Sequence, residues 1–112
     1  MASYLALTRR SQYLAVYEFG KAFANRVLVL KFLHNNLPST RLGYSVTKEI
    51  GQAVKRNHIK RWLKEAARTL EIKAGWDIVV IARRSIAASS FREVRESLAK
   101  QLKRAELLES NV

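Results

Sequence analysis

Hydrophobic and polar residues follow first a helical and then a strand-like period along the first third of the chain. Residues 11–20, SQYLAVYEFG, have helical spacing, with Ser11 as a candidate N-terminal cap and Gly20 as a candidate left-handed residue at the C-terminal end. Residues 21–33 place β-branched and aromatic side chains on both sides of an Asn-Arg pair. This pattern predicts a β-hairpin after the first helix.

The middle of the chain predicts a strand, a long helix and a further strand. Residues 34–40 are polar and predict a loop, whereas residues 41–47, RLGYSVT, alternate as a strand does. A basic segment then predicts a helix over residues 52–72, and Gly75 separates it from the next element. Residues 76–83, WDIVVIAR, are almost continuously apolar, which is typical of a central strand buried on both faces.

The last segment predicts a helix over residues 89–108. It opens with Ser90 and Glu93 at the spacing of a capping box, and its apolar residues keep helical spacing. The strand-helix-strand unit over residues 41–83 favours parallel pairing of its two strands, with the helix as the crossover. The predicted fold is a single-domain α/β (α+β) sandwich over residues 1–112, with the element order α-β-β-β-α-β-α.

Composition and charge narrow the possible functions. The chain has 112 residues, 48% of them hydrophobic, so it can form a core. Its net charge of +12 favours a polyanionic partner such as nucleic acid. It has no cysteine, which excludes disulfides and thiolate metal sites. No apolar run approaches the roughly 18 residues of a membrane span, so we expect a soluble cytoplasmic protein that does not act at membranes.

The basic helix has two faces with different chemistry. On a helical projection, one face carries apolar residues: Ile59, Trp62, Leu63, Ala66 and Leu70. The other face carries five cations and an amide: Arg56, Asn57, Lys60, Arg61, Lys64 and Arg68. A solvated helix face is the simpler explanation, but like charges four residues apart repel by a few tenths of a kcal/mol. A ladder without acids therefore favours binding to a polyanion, with the apolar face docked on the sheet.

The segment that contains this helix resembles a known family. Residues 41–68, RLGYSVTKEIGQAVKRNHIKRWLKEAAR, are similar to the signature of the bacterial ribonuclease P protein subunit, R-x-G-x-x-V-[ST]-K followed by A-V-x-R-N-x-x-K-R-x-x-[RK]-E. The similarity continues in YLAVYEFGKAFANR upstream and in GWDIVVIAR downstream. The chain departs from the family's usual pattern in four places: Lys48-Glu49, Gln52, His58 and Lys64.

The resemblance implies a fold and a function. In this family the β-α-β crossover is left-handed, and the protein assists an RNA subunit that removes the 5′ leader of precursor tRNA. The RNA subunit performs the hydrolysis with Mg²⁺, so the resemblance implies no catalytic or metal-ligating residue in the polypeptide. It also implies ribonuclease P RNA and precursor tRNA as partners, with one protein for each RNA.

The resemblance also implies two groups of binding residues. Contacts to the catalytic RNA fall on Lys48, Arg56, Asn57, Lys60, Arg61, Lys64 and Arg68. Contacts to the single-stranded leader fall on Arg9, Arg10, Tyr13, Tyr17 and Lys31, where Lys31 replaces an aromatic residue common in the family. From the residues alone, core packing explains a Tyr pair four positions apart as well as base stacking does.

Two alternatives have to be compared with this interpretation. A general RNA-binding module, such as a ribosomal protein, would share the charge, but the long signature argues against it. A protein-only nuclease would need an acid–base pair or clustered carboxylates for metal ions. His34 and His58 show no partner pattern, and the chain's nine acidic residues are scattered. We therefore expect no chemistry by the polypeptide itself.

Overall fold

A computed structural model describes residues 3–109, and within them the chain forms one five-stranded sheet and three α-helices. The strands and helices in chain order are β1 (Leu5–Ala6), α1 (Arg10–Phe19), β2 (Lys21–Ala24), β3 (Leu28–His34), β4 (Arg41–Ser45), α2 (Ala53–Arg68), β5 (Trp76–Ala82) and α3 (Phe91–Arg104). Two short 3₁₀ helices, Lys48–Ile50 and Arg84–Ala88, follow β4 and β5. The strand order in the sheet is β1-β4-β5-β3-β2.

The central strand β5 is covered on both faces. Val79 is buried with Val16 of α1 in a small cluster on one face. Its neighbours Ile78 and Val80 belong to the main core on the other face, which also contains Leu63 of α2 and residues of α3. Successive side chains of a strand point to opposite faces, so the apolar run of β5 supplies both layers. The predicted central strand and the α/β sandwich are confirmed.

The predicted strand pairings are also confirmed. β2 and β3 form an antiparallel hairpin, and Asn25 Oδ1 accepts hydrogen bonds from the N–H groups of Val27 and Leu28, both at 3.0 Å. β4 and β5 pair in parallel, so α2 is the crossover helix between them. The chain also contains a strand that the sequence did not predict: β1 pairs in parallel with β4 at the edge of the sheet.

The N-terminal end of α1 differs from the prediction. Ser11 lies inside the helix, and the capping position belongs to Arg9. The Gln12 side chain supplies the cap, because its Oε1 accepts hydrogen bonds from the N–H groups of Thr8 and Arg9 at 2.8 and 3.0 Å. A Gln three residues after the cap is the known reciprocal half of a capping box.

Gly20 follows α1 as predicted, but its conformation is not left-handed. Its φ of −77° and ψ of 161° are extended. Packing explains the glycine instead: a Cβ here would lie 2.5 Å from the carbonyl oxygen of Val16 and 2.8 Å from that of Phe32. The turn from α1 into β2 therefore brings two backbone segments too close for any side chain.

Both long helices end earlier than predicted. α2 ends at Arg68 rather than at residue 72, and Thr69 Oγ1 donates a hydrogen bond of 2.7 Å to the carbonyl of Ala66. Ile72 instead forms an isolated antiparallel bridge with Leu108, beyond the end of α3. α3 ends at Arg104, although its start is confirmed.

The start of α3 is the predicted capping box. The N–H of Glu93 donates to Ser90 Oγ at 3.2 Å, and the N–H of Ser90 donates to Glu93 Oε1 at 3.1 Å. These bonds to Ser90 hold the pKa of Glu93 below its usual value. None of the helices between residues 3 and 109 has the length and apolarity that crossing a bilayer requires.

One buried ion pair joins the two parallel strands. Arg41 Nε and Nη2 donate to the two carboxylate oxygens of Asp77 at 2.7 and 2.6 Å, and the side chains are 22% and 7% exposed. Asn35 Nδ2 also donates to Asp77 Oδ1, at 2.9 Å. Arg41 and Asp77 are register partners in the β4–β5 ladder, so the pair fixes the start of both strands.

We expect Asp77→Asn to lower the free energy of unfolding by about 3 kcal/mol, because breaking a buried ion pair leaves the Arg41 charge without its partner. Urea unfolding measures the change. Glu96→Gln is the matched control, since it breaks the exposed Arg92–Glu96 pair on α3 and should cost less than about 0.5 kcal/mol. Equal costs for the two variants would contradict a stabilising role for the buried pair.

Candidate nucleic-acid interface

The basic residues predicted on α2 do form one face of the helix. We call this face the basic stripe, and its members are Arg56, Asn57, Lys60, Arg61, Lys64 and Arg68. Asn57, Arg61, Lys64 and Arg68 are exposed, whereas Arg56 and Lys60 are half-buried. The opposite face buries Ile59, Leu63 and Ala66 in the core. The predicted division of the helix into an apolar and a cationic face is confirmed.

Arg56 is the exception to the expected exposure. Its Nε is buried and has no hydrogen-bond partner among the described residues. Arginine often packs its aliphatic stem against the protein while its charged head reaches water. Arg56 therefore has a packing role near the start of α2 as well as a charge to present, which the helical projection alone did not indicate.

Acidic side chains leave the basic stripe unneutralised. Within residues 3–109 the ion pairs are Arg26–Glu93, Arg41–Asp77, Arg84–Glu49 and Arg92–Glu96. None of these pairs includes a cation of the stripe. Like charges spaced along one helix face repel each other, and a polyanion would relieve this repulsion. The geometry fits a phosphate backbone lying along the helix.

Lys48 lies just before α2 rather than on it. It is the first residue of the 3₁₀ helix Lys48–Ile50 and is exposed. Its neighbour Glu49 lies 3.8 Å from Arg84. Gly51 then has a φ of 154°, and its position is close to the Lys55 side chain. The chain thus enters α2 through a tight, basic turn.

Trp62 packs in part against the main core, and its ring also contacts α3. The ring is half-buried and packs at 5.9 Å, edge-on, against Phe91 of α3. On its other side lies the ring of His58, with 4.6 Å between the ring centroids. Trp62 therefore holds the two helices of one layer together, whereas Leu63 faces the sheet core.

A second candidate surface lies on α1, on the other face of the sheet. Tyr13 and Tyr17 pack with their ring centroids 6.4 Å apart. Lys31 of β3 places its Nζ 5.4 Å from the centroid of the Tyr17 ring. Arg9 and Arg10 are exposed at the start of the helix, and Arg10 shares a helix side with both tyrosines because it precedes them by three and seven residues.

The two tyrosines differ in their surroundings. Tyr13 lies directly over Gly43 of β4, where a Cβ would come within 2.6 Å of its hydroxyl oxygen. Its hydroxyl donates to the carbonyl of Leu7 at 3.4 Å, and burial raises its pKa. Tyr17 is 37% exposed. Core packing therefore describes Tyr13 well, while the Tyr17 ring remains available for a ligand.

β4 connects the two surfaces. Tyr13 covers Gly43 on one face of this strand. On the other face, Lys64 and Arg68 line a pocket of about 240 Å³ together with Tyr44 of β4 and Leu5 of β1. Both candidate surfaces thus approach the same edge of the sheet. One extended polyanion could contact both.

Tyr4 belongs to this pocket, and the sequence did not indicate it. It lines the pocket, and its hydroxyl accepts a 2.8 Å hydrogen bond from the N–H of Ile72 and donates to the carbonyl of Leu70. Tyr44 lines the pocket too, and burial raises its pKa. No signal could have identified Tyr4, because the two-residue strand β1 that follows it has no detectable pattern.

The two histidines have separate neighbours. His34 packs edge-on against Trp76, with 5.1 Å between the centroids, and its Nδ1 lies 3.1 Å from Asn36 Oδ1. His58 Nδ1 lies 3.0 Å from Arg61 Nη2. Between residues 3 and 109, no three His, Asp or Glu side chains cluster in a way that could hold a metal ion.

Arg56 and Arg61 allow a test of this geometry. We expect Arg61→Ala to change the free energy of unfolding by less than about 0.5 kcal/mol, as is usual for exposed positions. Arg56→Ala should cost more, because it removes a stem that packs against the protein. Urea unfolding of both variants measures the difference. Equal costs would mean that Arg56 contributes only its charge.

Comparisons with known proteins agree with the fold. A family model described as ribonuclease P matches residues 1–106. The chain is 41% identical over 105 residues to the ribonuclease P protein component of Caldanaerobacter subterraneus, covering 92% of this chain and 90% of that protein. It is 39% identical over 104 residues to the ribonuclease P protein component of Clostridioides difficile, covering 90% and 91% of the two chains.

Solved structures give the same result. The ribonuclease P protein of Staphylococcus aureus superposes with a TM-score of 0.85 at 32% identity, covering 96% of this chain and all of that one. The protein from Thermotoga maritima superposes with a TM-score of 0.82 at 35% identity, covering 94% and 98%. A family model spans almost the whole sequence, and the relatives are matched over nine tenths or more of their own length, so the chain belongs to the ribonuclease P protein family.

Proposed function

We propose that this protein is the RNA-binding subunit of a ribonuclease P holoenzyme, which removes the 5′ leader of precursor tRNA. The observation that carries the proposal is the basic stripe of α2, whose cations have no acidic partner among residues 3–109. Membership of the ribonuclease P protein family implies a partner that matches this charge, namely a large RNA. Docking the stripe on RNA replaces repulsion between its cations with attraction to phosphates.

In this proposal the RNA subunit performs the chemistry. Mg²⁺ would be held mainly by that RNA, and it would supply the activated water and charge neutralisation at the cleaved phosphodiester. The polypeptide lowers RNA–RNA repulsion and orients the substrate. One protein for each RNA, in the cytoplasm, completes the proposal. Asn57 and Lys48 would add to the contacts made by the cations of the stripe.

We assign the α1 surface to the single-stranded leader. An exposed ring with a cation beside it is suited to an unpaired nucleotide, because the base stacks on the ring and the phosphate meets the ammonium group. Tyr17 and Lys31 have this arrangement. Arg9 and Arg10 would bind further phosphates. Tyr13 packs on Gly43 and contacts the Tyr17 ring, so it would hold that ring in position.

Reconstitution tests the proposal. Bacterial ribonuclease P RNA at low Mg²⁺ should cleave precursor tRNA much faster with this protein than without it, whereas the protein alone should cleave nothing. Arg61→Ala should raise the protein concentration needed for half-maximal activity, because it removes a phosphate contact. Arg92→Ala is the control, since it removes an exposed arginine from α3, outside the stripe. The measurement is the initial cleavage rate against protein concentration.

Two results would reject the proposal. Cleavage by the protein without RNA would make it a protein-only nuclease. Binding to RNA in general, without any effect on the cleavage rate, would make it a general RNA-binding module such as a ribosomal protein.

Tyr17 provides a more selective test. Tyr17→Ala should weaken the affinity of the holoenzyme for precursor tRNA by about 1 to 3 kcal/mol, the usual cost of losing one stacked base. Mature tRNA, which has no leader, should bind as before. Because Tyr17 is partly exposed, the melting temperature of the free protein should hardly change. Equilibrium binding of both tRNAs to one preparation measures the effect.

Tyr17→Phe and Tyr13→Ala complete the design. The phenylalanine variant keeps the ring and should bind precursor tRNA almost normally. Tyr13→Ala should lower the melting temperature, because it leaves a cavity over Gly43. If Tyr17→Ala weakened precursor and mature tRNA equally, the leader would not lie on α1.

A further inference from the structure

A pocket of about 580 Å³ lies at one end of the sheet, where α1, β3 and α3 end and β5 begins. Four rings line it: Phe19, Phe32, His34 and Trp76. Phe32 is buried and Trp76 half-buried, so these two are its inner rings. His34 is exposed, and Phe19 is 69% exposed, so these two are its outer rings.

The aromatic wall is held in place by the backbone around it. Trp76 meets Phe32 and His34 edge-on, with centroids 6.0 and 5.1 Å away. His34 and Trp76 are register partners in the β3–β5 ladder, and Thr40 Oγ1 accepts a hydrogen bond of 3.1 Å from the N–H of Trp76. Gly75 has a φ of 94°, which favours glycine. The rings are therefore positioned before any ligand arrives.

The charges of the pocket suit a nucleotide. Lys21 and Lys73 line it and can contact a phosphate. Glu106, which also lines it, can accept a hydrogen bond from the amino group of a base. The volume lies in the range of small-molecule sites, and exposed rings beside cations are the usual arrangement for stacking an unpaired base. A nucleotide of single-stranded RNA uses all of these features together.

The pocket adjoins the surface assigned to the leader and extends around the end of the sheet to the other face, where Phe32 packs in the main core. Leu33 lines it and lies two residues after Lys31 on the same face of β3, about 7 Å further along the strand. Tyr13 lies over β4, and Tyr17 contacts β3, so α1 crosses the sheet away from the edge that carries the basic stripe. Phe19 is the last residue of α1 and lies on the other side of the helix from Tyr17, so an RNA strand that leaves Tyr17 reaches the pocket by turning over the ends of α1 and β3.

We propose that this pocket binds one unpaired nucleotide of the leader, farther from the cleavage point than the nucleotides at Tyr17, with its base against Phe19, His34 and Trp76 and its phosphate at Lys21 and Lys73. This inference rests on the proposed function. It predicts a second step in affinity as the leader grows longer. The first increase in affinity comes from stacking on Tyr17, and the second comes from binding in the pocket.

Leader length and tryptophan fluorescence test the inference. The chain has two tryptophans, so Trp62→Phe leaves Trp76 as the only one. Holoenzyme assembled with this variant is titrated with precursor tRNAs whose leaders lengthen one nucleotide at a time. Trp76 fluorescence should be quenched only by leaders longer than those that saturate the effect of Tyr17. A Trp76→Phe protein, which reports from Trp62, should show no such length dependence.

Phe19→Ala gives an independent readout in the otherwise unchanged chain. It should weaken the binding of long-leader precursors about tenfold and leave short-leader precursors unaffected, since one stacked base is lost. Leu14→Ala is the matched control, because Leu14 is 49% exposed on the same helix and does not line the pocket. Lys21→Ala, like Phe19→Ala, should weaken the binding of long-leader precursors.

The possible failures can be distinguished. If Phe19→Ala weakens no precursor while Tyr17→Ala still weakens all of them, the pocket does not bind the leader and the proposed function stands. If Phe19→Ala weakens short and long leaders equally, the order of nucleotides along α1 is wrong and the inference falls. If the protein does not accelerate cleavage by the RNA at all, the proposed function fails first.

Discussion

The burial of β5 on both faces is the constraint on which the other features depend. Val79 needs a cover on one side, and Ile78 and Val80 need one on the other, so the chain must place helices on both faces of one sheet. α1 covers one face, while α2 and α3 cover the other. The same arrangement separates the two candidate surfaces, because the helix that carries aromatic residues and the helix that carries cations lie on opposite faces of the sheet, and both surfaces approach β4.

The high net charge is compatible with this core because almost all charges stay outside it. The exception is the Arg41–Asp77 pair, in which the guanidinium fork satisfies both carboxylate oxygens and Asn35 adds a third bond. Elsewhere the acids that form ion pairs within residues 3–109 contact arginines of α3 and the loops, and none of them contacts a cation of the stripe. The free protein therefore keeps the repulsion between the cations of the basic stripe. In a protein without a polyanionic partner, we would expect nearby acidic side chains to neutralise such a stripe.

Much of this fold could be predicted because its signals are local. Asn25 forms the hairpin turn through its own side chain, and Ser90 and Glu93 cap α3 within four residues. The continuous apolar run of β5 indicates a strand buried on both faces, whatever its neighbours in the sheet are. The helix ends could not be predicted in this way. Residue 72 leaves the helical path to pair with Leu108, a partner far away in the sequence.

The candidate site shows the same division. Helical spacing identified the members of the basic stripe, but it could not show that the Nε of Arg56 is buried or that Trp62 also packs on Phe91 of α3. Gly20 and Gly43 are further cases, because each glycine is required by a neighbour that only the folded chain brings close. Contacts between elements distant in sequence decide such details, and no periodicity reports them.

Tyr13 and Gly43 illustrate how packing and binding depend on each other on α1. The absence of a side chain at Gly43 lets the Tyr13 ring lie on β4, and this contact sets the depth at which α1 crosses the sheet. At that depth Tyr17 stays partly exposed beside Lys31, and Phe19 reaches the end of β3. A larger residue at position 43 would push α1 away from the sheet. The contacts of Tyr13, Tyr17 and Phe19 with the strands would then all change together. Core packing thus explains Tyr13, which anchors the helix on Gly43, while base stacking is our proposal for Tyr17 alone.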